Sequence, residues 1–122
     1  RYNLDIAARV EDGRTAANER MAAVFDQTDF IICASNPDIA FPAHIESNTR
    51  VDGKKAPAGN NGALTIPANI SGNPAISVPA GLVDGMPVGV QIIGVQHSDR
   101  AILDLASLWE QQNPWPLTAP TN

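Results

Sequence analysis

Cysteine and aromatic residues are scarce in this sequence. Cys33 is the only cysteine among 122 residues, which excludes an internal disulfide and a metal site built from cysteines alone. Aromatic side chains make up 5% of the chain, so any core has to be mainly aliphatic. A lone thiol is compatible with a reducing compartment, and we expect a cytoplasmic protein.

Positive charge and long hydrophobic runs are also lacking. The net charge is −5, and Lys54-Lys55 is the one adjacent pair of basic residues. Nucleic acid binding needs a positive surface that replaces counterions, so we expect no nucleic acid partner. No apolar run approaches the roughly 20 residues that cross a bilayer, and we expect no membrane association. The chain begins without Met or a signal-like segment, and we expect it to be a piece of a longer protein.

The first half of the chain predicts a helix, a strand and a loop. Apolar residues recur at helical spacing between Thr15 and Gln27, which indicates an amphipathic helix. The apolar run Phe30–Ala34 predicts a strand buried on both faces, as in a parallel or mixed sheet. The Pro-, Gly- and Asn-rich residues 37–62 predict a long irregular loop.

The second half predicts a short helix, a hairpin and a longer helix. Residues 65–72 form the short helix, with Thr65 as the hydroxyl cap and Gly72 at the left-handed end. Strands at residues 75–79 and 88–94 flank the turn Asp84-Gly85, and prolines on both sides predict a loose connection. The helix at residues 98–112 has Ser98 as its cap, and an extended tail runs to residue 122. The fold class is therefore α/β.

One ordered string of Gly, Pro and polar residues makes this sequence specific. It reads Thr65-x-Pro67-Ala68-Asn69-x-x-Gly72-x-Pro74-Ala75-x-Ser77-Val78-Pro79-x-Gly81, followed by Gly85-Met86-Pro87-Val88-Gly89-Val90-Gln91-Ile92-Ile93-Gly94, a helix and Pro114-Trp115. This string closely resembles the C-terminal portion of the amidase signature family. Upstream, Asp29 to Cys33 fits the family's aspartate and hydrophobic strand, although Ala34-Ser35 replaces its usual Pro-Thr. We expect residues 1–122 to be one incomplete domain, a fragment of a mixed sheet flanked by helices.

The resemblance implies a catalytic unit that this chain does not contain. In the family a serine attacks the amide carbonyl, a cis-serine relays the proton to a lysine, and backbone N–H groups hold the oxyanion. Here no Gly/Ser-rich signature occurs, and the only lysines are Lys54 and Lys55 in the predicted loop. We therefore expect no catalytic residue, no cofactor and no metal in this chain, and no activity from it alone.

Other reactive residues favour structural interpretations. Cys33 in an apolar strand is expected to be an inert buried thiol, and His44 and His97 to face solvent or form hydrogen bonds. Asp29 and Asp38 flank a strand without a pattern that brings them together. Gln91 interrupts an apolar strand and is expected to bridge to a neighbouring loop, with a role in a pocket as the alternative.

The stretch from Gly62 to Gly72 is the candidate substrate-side region. We expect Gly62, Thr65 and Asn69 to bind substrate, with packing as the alternative role of this stretch. In the tRNA-dependent amidotransferase branch of the family, an acidic residue before Leu-Thr-x-Pro contacts the amino group of the substrate, and that position is Gly62 here.

Three functions remain open. The first is the C-terminal fragment of an amidase acting on small-molecule amides, completed by the upstream part of the same enzyme. The second is an amidotransferase A-type subunit, and the third is a non-catalytic structural or binding module. A homo-oligomer stays open in each case.

Overall fold

The computed structural model describes residues 3–116, and the first element is a long helix, α1, Leu4–Phe25. Asn3 caps it by accepting the Ile6 N–H at Oδ1, at 2.9 Å. The predicted start at Thr15 is therefore wrong by three turns. Gly13 does not end the helix, because a glycine inside a helix costs only about 1 kcal/mol. None of the α1 residues is buried.

A three-stranded antiparallel sheet forms the centre of the structure. Its strand order is β1 (Phe30–Ala34), β5 (Met86–Gly94) and β4 (Ala75–Val83). The predicted strand β1 is confirmed, but the prediction that both of its faces are buried is wrong. It pairs with β5 alone among the described strands, and the side chain of Ile32 is 62% exposed.

The hairpin that joins β4 to β5 is tighter than its prolines indicated. Asp84 and Gly85 have φ angles of 50° and 76°, which is the conformation of a two-residue hairpin turn. The predicted turn is confirmed and the loose connection is wrong, because pairing continues to Val83 and Met86. Pro79 is tolerated because β4 is an edge strand of this sheet, where a missing N–H breaks no ladder. The register shifts between Pro79 and Leu82.

The hydrophobic core lies between the sheet and helix α3, Asp99–Gln112. Its centre is Ile92 of β5, which is 1% exposed. The other buried members are Val78, Ile102 and Ala106. Ser98 occupies the predicted N-cap position, but its hydroxyl donates to Val95 O at 2.6 Å and makes no capping bond to the helix.

The remaining chain from β1 to β4 is mostly irregular, as predicted. It contains a two-residue hairpin of β2 (Arg50–Val51) and β3 (Lys54–Lys55), a 3₁₀ turn at Asn60–Gly62, and helix α2, Ile66–Ser71. Gly72 ends α2 with φ 69°, which confirms the left-handed end. The extended tail predicted up to residue 122 lies outside the described residues from 117 on. The α/β class is confirmed, and all described strand pairs are antiparallel.

Candidate functional site

The three candidate substrate residues form one hydrogen-bonded unit. The hydroxyl of Thr65 donates to Gly62 O at 3.2 Å, and the Thr65 N–H donates to the same oxygen at 3.1 Å. The amide Nδ2 of Asn69 donates to Thr65 O at 3.3 Å. The Asn69 side chain is exposed, whereas Gly62 and Thr65 are half-buried. The structure therefore brings all three residues together through local bonds at the start of α2.

Thr65 does not cap α2 as its position predicted. Its backbone is already helical, with φ −96° and ψ −28°, and its side chain makes no bond to the N–H groups of the helix. The hydroxyl donates backward to Gly62 instead, so that it fixes the 3₁₀ turn against the helix. Pro67 lies in the first turn of α2, as predicted.

Gln91 connects this unit to the central strand. Its side chain is 4% exposed, and Nε2 donates to Leu64 O at 3.0 Å and to Cys33 Sγ at 3.4 Å. The predicted bridge to a neighbouring loop is confirmed. Leu64 lies between Gly62 and Thr65, so the bridge ends within the candidate region.

A cleft of about 710 Å³ lies beside the candidate region, between the exit of β1 and the β4–β5 hairpin. Asn36, Asp38, Phe41 and Val88 are among its lining residues, together with Asn60 and Asn61 of the 3₁₀ turn. Gly62, Thr65 and Asn69 are not among the lining residues of this cleft. Its wall therefore comes within one residue of Gly62 along the chain.

Asparagine side chains hold the wall of the cleft together, a role that was not predicted from the sequence. With its amide oriented to satisfy both neighbours, Asn36 donates to Ser35 O at 3.3 Å and to Asn61 O at 3.2 Å. The buried Asn60 donates to Asn48 O at 3.3 Å, and Asn48 donates to Ile39 O at 3.1 Å. The density of asparagine in residues 36–61 was the available signal.

A pair of serine hydroxyls, one after β1 and one in β4, was also not predicted from the sequence. Ser35 follows β1, Ser77 lies in β4, and their hydroxyls are hydrogen-bonded to each other. They meet over Gly89 of β5, where a Cβ atom would stand 2.8 Å from one hydroxyl oxygen and 2.9 Å from the other. The Ser35 N–H also donates to Gly89 O at 2.9 Å. The small residues Ser35, Ser77 and Gly89 were the only available signal.

The remaining reactive side chains do not converge. His44 and His97 are exposed, as expected, whereas Cys33 is half-buried rather than buried. Asp29 and Asp38 lie at opposite ends of β1. In residues 3–116 no three His, Cys, Asp or Glu side chains are grouped in a way that could hold a metal ion.

The two lysines belong to a two-stranded sheet that is separate from the sheet of Ser77. Both belong to the exposed β2–β3 hairpin, where Lys54 Nζ is 3.7 Å from a carboxylate oxygen of Asp52. Over the described range 3–116, no helix is both long enough and apolar enough to cross a membrane.

The family of the chain follows from the fold together with a sequence match. A family model described as Amidase matches residues 4–103, which is most of the chain. The match places the chain in the class of α/β proteins that share the amidase fold. Specifically, the chain belongs to the amidase signature family.

Amidotransferase subunits and an acylamidase are among the curated and solved relatives. The A-type subunit of glutamyl-tRNA(Gln) amidotransferase from Lacticaseibacillus casei (strain BL23) is 38% identical over 107 residues, 88% of this chain and 21% of its own. A bacterial aryl acylamidase of the amidase signature family is 30% identical with a TM-score of 0.74, over 84% of this chain and 22% of its own. The corresponding amidotransferase subunit from Thermotoga maritima is 30% identical with a TM-score of 0.68, over 89% and 24%. The chain thus spans about a fifth of the length of the curated relatives that it matches.

Proposed function

We propose that this chain is the C-terminal part of an amide-hydrolysing enzyme, with residues 1–122 forming one incomplete domain. The observation that carries the proposal is the Amidase match over residues 4–103. The enzyme converts R-CO-NH-R′ and water into an acid and an amine, acts on small-molecule amides, and works in the cytoplasm without a cofactor. A serine, a cis-serine and a lysine upstream of this chain perform the chemistry.

In this proposal the chain contributes structure and one wall of the substrate site. Strands β4 and β5 and helix α3 contribute an aliphatic core to the sheet of the complete enzyme. The Gly62, Thr65 and Asn69 unit faces the substrate, supported by its own hydrogen bonds and by the bridge from Gln91. Reactive groups are not needed here, because positioning of the substrate is itself a large part of catalysis.

A tRNA-dependent amidotransferase is the second candidate function. The 38% identity to the A-type subunit of such an enzyme favours it. The glycine at position 62 argues against an amidotransferase, because that branch of the family is expected to have an acidic side chain there. A non-catalytic module is the third candidate, and it requires that the isolated chain folds by itself.

The test is the activity of the full-length enzyme, meaning the complete product of the gene that encodes this chain. We measure ammonia released from primary amides and from glutamine, and amine released from N-substituted amides. The glutamine assay is also run in the presence of glutamyl-tRNA. We expect hydrolysis of simple amides that does not depend on tRNA. Strict dependence on tRNA would favour the amidotransferase, and a gene product without an upstream serine and lysine segment would sink both enzymatic proposals.

Substituting Gly62→Asp in the full-length enzyme tests the substrate-facing role of position 62. A Cβ atom at this position would lie 3.3 Å from Ile66 Cδ1, so a small shift of a flexible side chain accommodates it. A carboxylate here is expected to improve kcat/KM for amides with a free α-amino group about tenfold relative to amides that lack it.

Ala63→Asp is the matched control, because it adds the same charge one residue further along at an exposed position. The two variants are compared by the ratio of kcat/KM for glutamine and for a simple acyl amide. Equal kcat/KM ratios in the two variants would show that position 62 does not face the substrate.

A further inference from the structure

Gln91 is the one strongly polar side chain at the buried end of the central strand. Four consecutive residues of β5, Gln91 to Gly94, are buried, and the other three are apolar. Burial of an amide is costly unless its polar atoms are hydrogen-bonded. Both hydrogen bonds that the structure gives Gln91 come from Nε2, and the shorter one goes to Leu64 O at 3.0 Å.

The carbonyl that Gln91 reaches belongs to the segment that joins the 3₁₀ turn to α2. The bonds within this segment are local: Ala63 N donates to Asn60 O at 2.9 Å, and Thr65 N donates to Gly62 O at 3.1 Å. Local bonds fix the shape of the segment but do not fix its distance from the sheet. The bond from Gln91 to Leu64 does so, because it joins the segment to the central strand.

Resting on the function proposed above, we propose that Gln91 is a positioning residue for the substrate. By holding Leu64 O, it sets how far Gly62 and Thr65 stand from the sheet, and thereby how closely the wall they form approaches the amide. Gln91 acts through this segment and does not itself touch the reacting atoms. Its loss is therefore expected to weaken substrate binding more than the chemical step.

Gln96 provides a matched control in the same molecule. Its Nε2 donates to Ser71 O at 2.6 Å, so a second glutamine holds a backbone carbonyl at the opposite end of α2. Gly62 and Thr65, the two residues on which the inference rests, lie before the other end of α2, and only Asn69 is close to Ser71 in the chain. If glutamine bonds to this helix served stability alone, loss of either one would act on the enzyme in the same way.

The experiment compares Gln91→Leu with Gln96→Leu in the full-length enzyme, with an amide that the wild type hydrolyses. We expect Gln91→Leu to raise KM about tenfold or more, the equivalent of one lost hydrogen bond, with kcat within about twofold. Gln96→Leu is expected to leave KM unchanged. Gln91→Met, which keeps a flexible chain of similar volume without the donor, should behave like Gln91→Leu.

Each result separates positioning from stability. Unchanged KM in Gln91→Leu, or an equal rise in Gln96→Leu, would overturn the proposal while leaving amide hydrolysis intact. Failure of both Gln91 variants to give folded enzyme would assign this residue to stability and would also overturn it. A wild-type enzyme without amide hydrolysis would instead remove the proposed function on which the inference rests.

Discussion

At the scale of single residues, Gly89 shows how β4, β5 and the exit of β1 are joined. The hydroxyls of Ser35 and Ser77 occupy the space that a side chain at this position would fill. The Ser35 N–H donates to Gly89 O, so the exit of β1 is joined to β5 by its backbone and to β4 by its hydroxyl. Directly after Ser35 the chain enters the wall of the cleft at Asn36. The absence of a side chain at Gly89 therefore leaves room for the bonds that hold the chain directly before it enters that wall.

Substitution of Gly89 by alanine is expected to loosen this junction. The new Cβ atom would lie within 3 Å of two hydroxyl oxygens, and overpacking of this kind costs about 1–3 kcal/mol. Native-state hydrogen exchange of the Ser35 amide in the full-length enzyme measures the effect locally, with exchange about 10- to 100-fold faster.

Gly13→Ala is the control for the alanine substitution. Gly13 lies inside α1, and a Cβ atom there meets nothing within 4 Å. This change is expected to stabilise the helix by about 1 kcal/mol and to slow exchange of its amides. Changes of the same sign in the two variants would contradict the steric argument at Gly89.

At the scale of elements, the patterns that depend on local chemistry were predictable from the sequence. The apolar run of β1, the turn Asp84-Gly85 and the left-handed Gly72 all follow from residue types that restrict their own backbone. The caps were not predictable in the same way. The hydroxyls of Thr65 and Ser98 lie at the expected positions but donate to backbone carbonyls that precede them.

The ends of α1 and the lengths of β4 and β5 were not predictable, for a different reason. Gly13 and Pro79 each disfavour a helix or a strand by a modest amount, and the neighbouring structure decides whether this amount matters. Pro79 remains in β4 because its backbone polar groups point away from β5: its carbonyl accepts from Trp109, and its partner Gly89 accepts from Ser35. Of the site, the substrate role of Gly62, Thr65 and Asn69 stays a prediction from the resemblance, whereas the asparagine bonds at the cleft required three-dimensional proximity.

The contact of α3 with β4 includes a hydrogen bond that can be tested. Trp109 Nε1 donates to Pro79 O at 2.9 Å, and its ring packs against the core. Trp109→Phe in the full-length enzyme is expected to destabilise this contact by about 1 kcal/mol beyond the loss of ring area. Faster hydrogen exchange of the α3 amides is the measurement.

Trp115→Phe provides the comparison, because Trp115 packs against the same core and loses a similar ring area. The difference between the two variants isolates the bond to Pro79. If the two variants accelerate exchange in α3 equally, the indole bond contributes nothing to the contact.

At the scale of the whole molecule, the surface of the chain contains large apolar side chains and unpaired strand edges, which is unusual for a chain that exists alone. Ile32, Leu82 and Leu4 are 62%, 69% and 88% exposed. β1 and β4 form the two edges of the sheet in the described residues, so each offers unpaired backbone groups. The chain spans about a fifth of its curated relatives, which have further chain that could cover such surfaces. The burial predicted for β1 from its apolar sequence would then be reached only within a larger protein.

We therefore expect the isolated 122 residues to self-associate or to need a partner segment. The unpaired edge of β1 and the exposed Ile32 provide both backbone and apolar contacts for another chain. Size-exclusion chromatography with light scattering should show species larger than the monomer. A monomeric chain that unfolds in one cooperative thermal transition would refute this and would favour the non-catalytic module.

A charge added to β1 tests whether this edge strand is the surface through which the isolated chain associates. Ile32→Lys places a charge on that edge and is expected to shift the isolated chain toward the monomer, because charged edge residues oppose strand pairing. Leu4→Lys adds the same charge to the more exposed residue at the start of α1, away from the sheet. If both variants restore the monomer equally, general apolar exposure drives association. If only Ile32→Lys does so, the edge of β1 is the surface through which the isolated chain associates.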